Sequence, residues 1–170
     1  MIISKTIIKN LYLLKDLQIS DSRGYFNRYF SKDFLNKKKI SFKPDYQAIS
    51  FNKKKGTIRG MHMQKYPYSE IKLVKCVFGS IFDVVIDLRK SSPSFNKIFT
   101  IVLKEGDGKS ILIPKGCVHG YQSLSSNSKL LYSIQSKYNK NAMYGIKWND
   151  PLYNIKWPLK ISKISEHDKN

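Results

Sequence analysis

The chain has 170 residues, enough for one domain with a sizeable core. Its 41% hydrophobic and 13% aromatic content excludes a disordered chain, and no apolar run nears the ~20 residues of a membrane span. The net charge of +19 raises nucleic acid as a partner, but only four of the 31 basic residues are arginines and the lysines are spread along the whole chain. Base and phosphate recognition favour the guanidinium fork, so anionic small molecules are expected rather than nucleic acid.

Residues 1–21 are apolar and basic, as in a secretory leader, but Lys5, Lys9 and Lys15 cut every apolar run and no small-residue cleavage site follows. A cytoplasmic location is therefore expected. "RGYFNRYF" (23–30) alternates and is aromatic, which predicts a strand. Ser31 is placed to cap a helix over "KDFLNKKK". "TIRGMHMQ" (57–64) is the next strand. "KLVKCVFG" (72–79) and "SIFDVVIDLR" (80–89) meet at Gly79-Ser80, a hairpin signal. Further strands are predicted at 97–103, 110–114, 118–124 and 130–138, with turn-forming residues between them. The segment after 145 is irregular, with Pro151, Pro158 and two tryptophans suited to pack over a sheet. Cys76 and Cys117 each sit in an apolar run and are read as reduced core residues. The pattern predicts one mainly-β domain over 1–170, a barrel or sandwich with a few short helices.

Two motifs narrow the class. In "GKSILIPKGCVHGYQS" (108–123), Gly108 is followed by Pro114-Lys115-Gly116 and then His119. This spacing resembles the second motif of the cupin superfamily, a double-sheet jelly roll. Gly56 and His62 begin like the first cupin motif, but the expected His-x-His is His62-Met63-Gln64. With one of the usual histidines gone, no metal is expected. His62 is then either a packed side chain or a base. Arg59 and His62, three apart on a regular strand, point to opposite faces, and Gly60 between them is a candidate bulge that would bring both inward. A cavity holding His62, Lys72, Tyr132 and Arg59 suits proton abstraction next to a carbonyl: a histidine takes the proton, a lysine steadies the enolate and a tyrosine returns a proton.

The chain resembles the dTDP-4-dehydrorhamnose 3,5-epimerase family of nucleotide-sugar epimerases. The likeness rests on "DSRGYF" (21–26), "IRGMHMQ" (58–64), "KLVKCVFGSIFDVVIDLRKSSPSF" (72–95), "ILIPKGCVHGYQSLS" (111–125), "LLYSIQSKY" (130–138) and "GIKWNDPLYNIKWP" (145–158). It implies a cupin-type jelly roll that acts on a nucleoside-diphosphate sugar without a cofactor, as a homodimer that exchanges N-terminal strands. It also implies roles. His62 matches the general base and Asp168 its partner; Lys72 lies by the C4 keto oxygen; Tyr132 is the acid on the other face. His119 lines the sugar pocket, Arg23 and Arg59 hold the pyrophosphate, Gln47 lies near nucleotide and sugar, and Phe26 and Tyr138 flank the base. Three departures bear on substrate. The family's Gln-Asp-Asn is Gln47-Ala48-Ile49, its Gln-Gly before the lysine is Glu70-Ile71, and its C-terminal segment is shorter here. Glu70 is expected on the face of Lys72, within reach of its ammonium, and is counted among the substrate-binding residues. The chemistry reads as intact and the ligand contacts as altered, which leaves CDP, GDP and UDP open beside dTDP, and a 3-epimerase, a 3,4-ketoisomerase or a non-catalytic sugar-nucleotide-binding protein as rival outcomes.

Overall fold

A computed structural model describes residues 1–169. Among the described residues there are thirteen strands: β1 (Ile2–Lys5), β2 (Tyr12–Lys15), β3 (Gln18–Asp21), β4 (Gly24–Asn27), β5 (Tyr46–Asn52), β6 (Ile58–Gln64), β7 (Ile71–Phe78), β8 (Ser80–Asp87), β9 (Ile98–Lys104), β10 (Lys109–Ile113), β11 (Cys117–Ser123), β12 (Ser128–Gln135) and β13 (Met143–Gly145). The helices are α1 (Lys32–Lys37), a 3-10 turn at Lys140–Ala142 and α2 (Glu166–Lys169). None of the described helices is long and apolar enough to cross a membrane. Ser31 caps α1 as expected, its hydroxyl accepting from the Phe34 N–H at 3.3 Å.

The strands form two facing antiparallel sheets, a jelly roll of the expected cupin type. One has the order β1-β2-β10-β7-β12-β5 and the other β13-β6-β11-β8-β9. Between them lies a core in which Val74, Cys76, Ile111 and Leu130 of the first sheet meet Ile81, Val85, Leu103 and Tyr121 of the second. Each such side chain contributes about 1.5–3 kcal/mol on burial. A second cluster, with Leu35 and Phe42, covers the outer face of the first sheet under α1. A third covers the outer face of the second sheet: the irregular C-terminal segment lays Ile155 and Trp157 over Met61, Val84 and Val118, and Trp157 meets Phe82 edge-on at 6.2 Å.

The hairpin expected at Gly79-Ser80 is not formed. Strand β7 pairs with β10 and β12, and β8 with β9 and β11. Gly79, at φ +72°, carries the chain from one sheet to the other. Residues 73–76 of β7 and 83–87 of β8 are buried without a break, as in strands covered on two faces, and a local turn signal does not say which sheet the next strand joins. Strands β1, β2, β3, β5 and β13 are not predicted from the sequence. The predicted strand over 23–30 is shorter, only Gly24–Asn27, and pairs with β3 in a separate hairpin. That hairpin holds Ile19 and Phe26 exposed, with Leu17 exposed just before it.

Candidate active site

A cavity of about 440 Å³ opens between the sheets. β6 and β11 of one sheet supply Arg59, His62, His119 and Tyr121; β5, β7 and β12 of the other supply Ser50, Lys72 and Tyr132.

Gly60 sets the first wall. On β11, His119 stands opposite His62 and Tyr121 opposite Arg59, so three steps on β6 face two on β11. The extra residue is a bulge, and it turns Arg59 and His62 to the same cavity. Gly60 has φ +108°, and a Cβ there would stand 2.6 Å from the Cα of Gly120 and 2.7 Å from the His119 carbonyl oxygen. Only glycine fits this crossing.

His62 is paired with the far end of the chain. Its Nε2 lies 2.7 Å from Asp168 Oδ1, and the Gly60 N–H donates to Asp168 Oδ2 at 3.4 Å. Burial raises the Asp168 pKa, but the hydrogen bond and charge of His62, with bonds from Ser165 and Gly60, outweigh it and hold the carboxyl below its usual range. The tail is strapped in place. Gln122 donates to the Leu159 carbonyl and accepts from its N–H, the Ser162 hydroxyl donates to the Lys55 carbonyl, and Lys163 bridges Thr57 in parallel.

Lys72 and Tyr132 rise from the opposite sheet. The Lys72 ammonium lies 2.6 Å from Glu70 Oε1 and 3.5 Å from the His62 carbonyl oxygen. Glu70 thus takes the place expected for it. The Tyr132 ring lies 6.0 Å from that of His119, and its hydroxyl makes no hydrogen bond among the described residues. Burial pushes its phenol well above the ordinary tyrosine value, so it stays protonated at neutral pH. Arg59 donates to the Asn52 side chain at 3.0 Å and the Phe51 carbonyl at 3.1 Å, both neutral acceptors. Among the described residues it is the one arginine or lysine lining the cavity without a carboxylate partner.

Tyr138 also lines the cavity. Three expected residues are not brought to it within the chain. Gln47 lies on the outer face of β5, where its amide donates to the Ser133 hydroxyl at 3.0 Å. Arg23 and Phe26 stand on the β3–β4 hairpin, Phe26 exposed and Arg23 paired at 2.6 Å with Asp21. Sequence reasoning missed Asp83, whose Oδ2 lies 2.8 Å from His119 Nε2 in a pair buried on both sides. The signal was a carboxylate inside the apolar run "IFDVVID", where a buried charge demands a partner. It also missed Gln64. Among the described residues no group of three or more His, Cys, Asp or Glu side chains is disposed to hold a metal ion.

The family model for dTDP-4-dehydrorhamnose 3,5-epimerase matches residues 5–170. The chain belongs to that family. It is accordingly an epimerase, an enzyme of the isomerase class. The family's dTDP-4-dehydrorhamnose 3,5-epimerase from Shigella flexneri is 35% identical over 169 residues, covering 98% of this chain and 92% of its own. The Bacillus anthracis epimerase, solved with TDP and PPi bound, superposes with a TM-score of 0.95 at 30% identity, over 98% of this chain and 95% of its own. A Legionella pneumophila 3,5-epimerase in complex with dTDP-4-keto-L-rhamnose gives 0.91 at 29% identity, over 98% and 88%. Every family block quoted from the sequence lies inside the matched range.

Proposed function

We propose that the chain inverts C3 and C5 of a nucleoside-diphosphate 4-keto-6-deoxyhexose, in deoxysugar synthesis. The observation that carries this reading is the placement of base and acid on opposing walls: the His62–Asp168 pair on the β6 side, Tyr132 on β12 of the facing sheet. Inversion needs a proton removed from one face of a carbon and returned to the other.

Asp168 holds one ring nitrogen of His62 and makes the other the proton acceptor. His62 takes the proton from C3, and the electron pair of the broken C–H bond moves onto the C4 carbonyl oxygen as an enolate. The Lys72 ammonium stabilises that oxygen as its charge develops. Tyr132 then gives its phenolic proton to the opposite face of the carbon. Solvent returns a proton to the phenolate and takes one from the imidazolium, so atoms and charge balance. The same cycle repeats at C5. The carbonyl is the substrate's own, and the cycle uses no cofactor.

Arg59, without a neutralising carboxylate among the described residues, is the cation for the diphosphate. Arg23 and Phe26 reach a site by another route: in a homodimer, the apolar β3–β4 hairpin of one protomer adds them to its partner's cavity. The exposure of Leu17, Ile19 and Phe26 supports this, since such side chains on an unpartnered hairpin favour cover. The relatives' names favour dTDP as the nucleotide.

The test is product analysis by NMR after incubation with dTDP-4-keto-6-deoxyglucose. Conversion to the C3- and C5-inverted sugar is expected. A product inverted at C3 alone would restrict the reaction to one centre. Turnover of a CDP, GDP or UDP analogue in preference would move the nucleotide assignment, and no turnover of any of them would end the enzymatic reading.

A further inference from the structure

Gln64 stands where a metal-binding barrel of this type would place its second histidine, and it does different work. It follows His62 by two residues on β6 and is 1% exposed. Its amide nitrogen donates to the Tyr68 carbonyl at 3.1 Å, Glu70 Oε2 at 3.2 Å and the Lys137 carbonyl at 3.2 Å; its oxygen accepts from the Asn139 N–H at 2.7 Å. Two N–H bonds are shared among three acceptors, so both donors are engaged inside the protein. Gln64 has no donor left for a substrate. It gathers the loop after β6 and the segment after β12 onto one amide.

Glu70 is the second link. One carboxylate oxygen accepts from Gln64, and the other holds the Lys72 ammonium at 2.6 Å. The side chains of Lys72 and Glu70 are only 11% and 8% exposed. A carboxylate so buried persists where it is paired and hydrogen-bonded, as this one is. Both of its oxygens are committed, which argues against the substrate-binding role expected from sequence. The Lys72 stem is flexible, and in an open cavity an unpinned ammonium samples many positions.

The relay also crosses the fold. Gln64 is on β6, in the sheet that carries the base, and Lys72 is on β7, in the sheet that carries Tyr132. We infer that Gln64 and Glu70 are positioning residues that fix the Lys72 ammonium relative to His62 by tying the two sheets together at this end of the cavity. The inference rests on the proposed role of Lys72. The pairing has a further consequence: it neutralises the Lys72 end of the cavity, so the diphosphate is drawn to Arg59 and the keto sugar lies toward Lys72.

The experiment compares wild type with Glu70→Gln, which keeps the size and an oxygen for Gln64 but removes the charge. Lysine-selective 15N NMR reads the ammonium directly, with Lys72→Met identifying the signal. The resonance that Lys72→Met removes should be protected from solvent exchange in wild type, and Glu70→Gln should abolish that protection; the buried Lys75–Asp16 pair gives a second protected signal that neither change removes. With dTDP-4-keto-6-deoxyglucose, Glu70→Gln should lower kcat by about ten- to a hundredfold, the scale of a misplaced reacting group, with KM changed by less than about threefold. A Lys72 ammonium in wild type that exchanges as fast as surface lysines overturns the inference. So does a Glu70→Gln enzyme with unchanged kcat, or with raised KM and unchanged kcat, which would make Glu70 a substrate contact. Wild type that shows the protected ammonium but no turnover would instead refute the proposed function and leave the pinning intact.

Discussion

His62 Nε2 and Asp168 Oδ1 are 2.7 Å apart, although one residue lies in the middle of β6 and the other near the C-terminal end of the chain. The pair exists because the tail is fastened along its length. Gln122 clasps Leu159, Lys163 joins Thr57, and the backbone N–H of Asp168 is bonded to Ser165. The carboxylate therefore reaches the imidazole as part of a docked segment rather than a free end.

Replacing Asp168 by Asn should lower kcat by about a thousandfold while KM moves little, because the imidazole loses its tautomer control and the stabilisation of its charged form. Steady-state kinetics on purified Asp168→Asn checks this. A variant within a few-fold of wild type would remove Asp168 from the mechanism.

Stability should fall on acidification below the ordinary carboxylate range, near pH 4. Asp168 is held below its usual value, and so is Asp87, where burial pushes upward but bonds from Arg89, Ser92 and Ser94 outweigh it. A depressed carboxyl contributes stability that is fully present above its unfolded pKa and is lost as pH falls through the folded one. Urea midpoints should be flat from pH 5 upward and drop below pH 4. Asp87→Asn should weaken that drop, and Asp87→Ala should cost about 3 kcal/mol by stranding Arg89 and two serines.

Gly60→Ala should lose both activity and about 3 kcal/mol or more of stability. The added methyl meets the Gly120 backbone, and φ +108° is strained for any residue with a Cβ. Denaturant melts and turnover, measured on one preparation, give both numbers. A stable, active Gly60→Ala would mean that the bulge does not orient Arg59 and His62.

Both thiols should be inert until the chain unfolds. Burial pushes Cys117 up to about 12 and Cys76 up to about 11, and both are buried and unpaired. A thiol reagent at pH 8 should label neither in the native protein and both in urea.

The sequence carried the fold class well, because strands such as β8 and β9 announce themselves as apolar runs between turn residues. It carried the wrong partner for β7, since Gly79-Ser80 records a turn and not the sheet entered next. The candidate bulge at Gly60 was legible from one glycine between two polar residues of odd spacing. The outward placement of Gln47 was not, because the facing of β5 depends on its register against β12. Asp168 was legible only through the family resemblance: an aspartate near the end of a chain has no local pattern to mark it. Gln64 looked like a ligand lost from a metal site, and only the loops that converge on its amide give it a role.

Solvent deuterium incorporation tests the central claim most directly. Wild type, His62→Ala and Tyr132→Phe would be incubated with dTDP-4-keto-6-deoxyglucose in heavy water, and deuterium at C3 and C5 followed by NMR. Wild type should incorporate deuterium at both carbons and His62→Ala at neither, and Tyr132→Phe should lose inversion at both, because the same acid serves each cycle. Full incorporation by His62→Ala would contradict the assignment of His62 as the base.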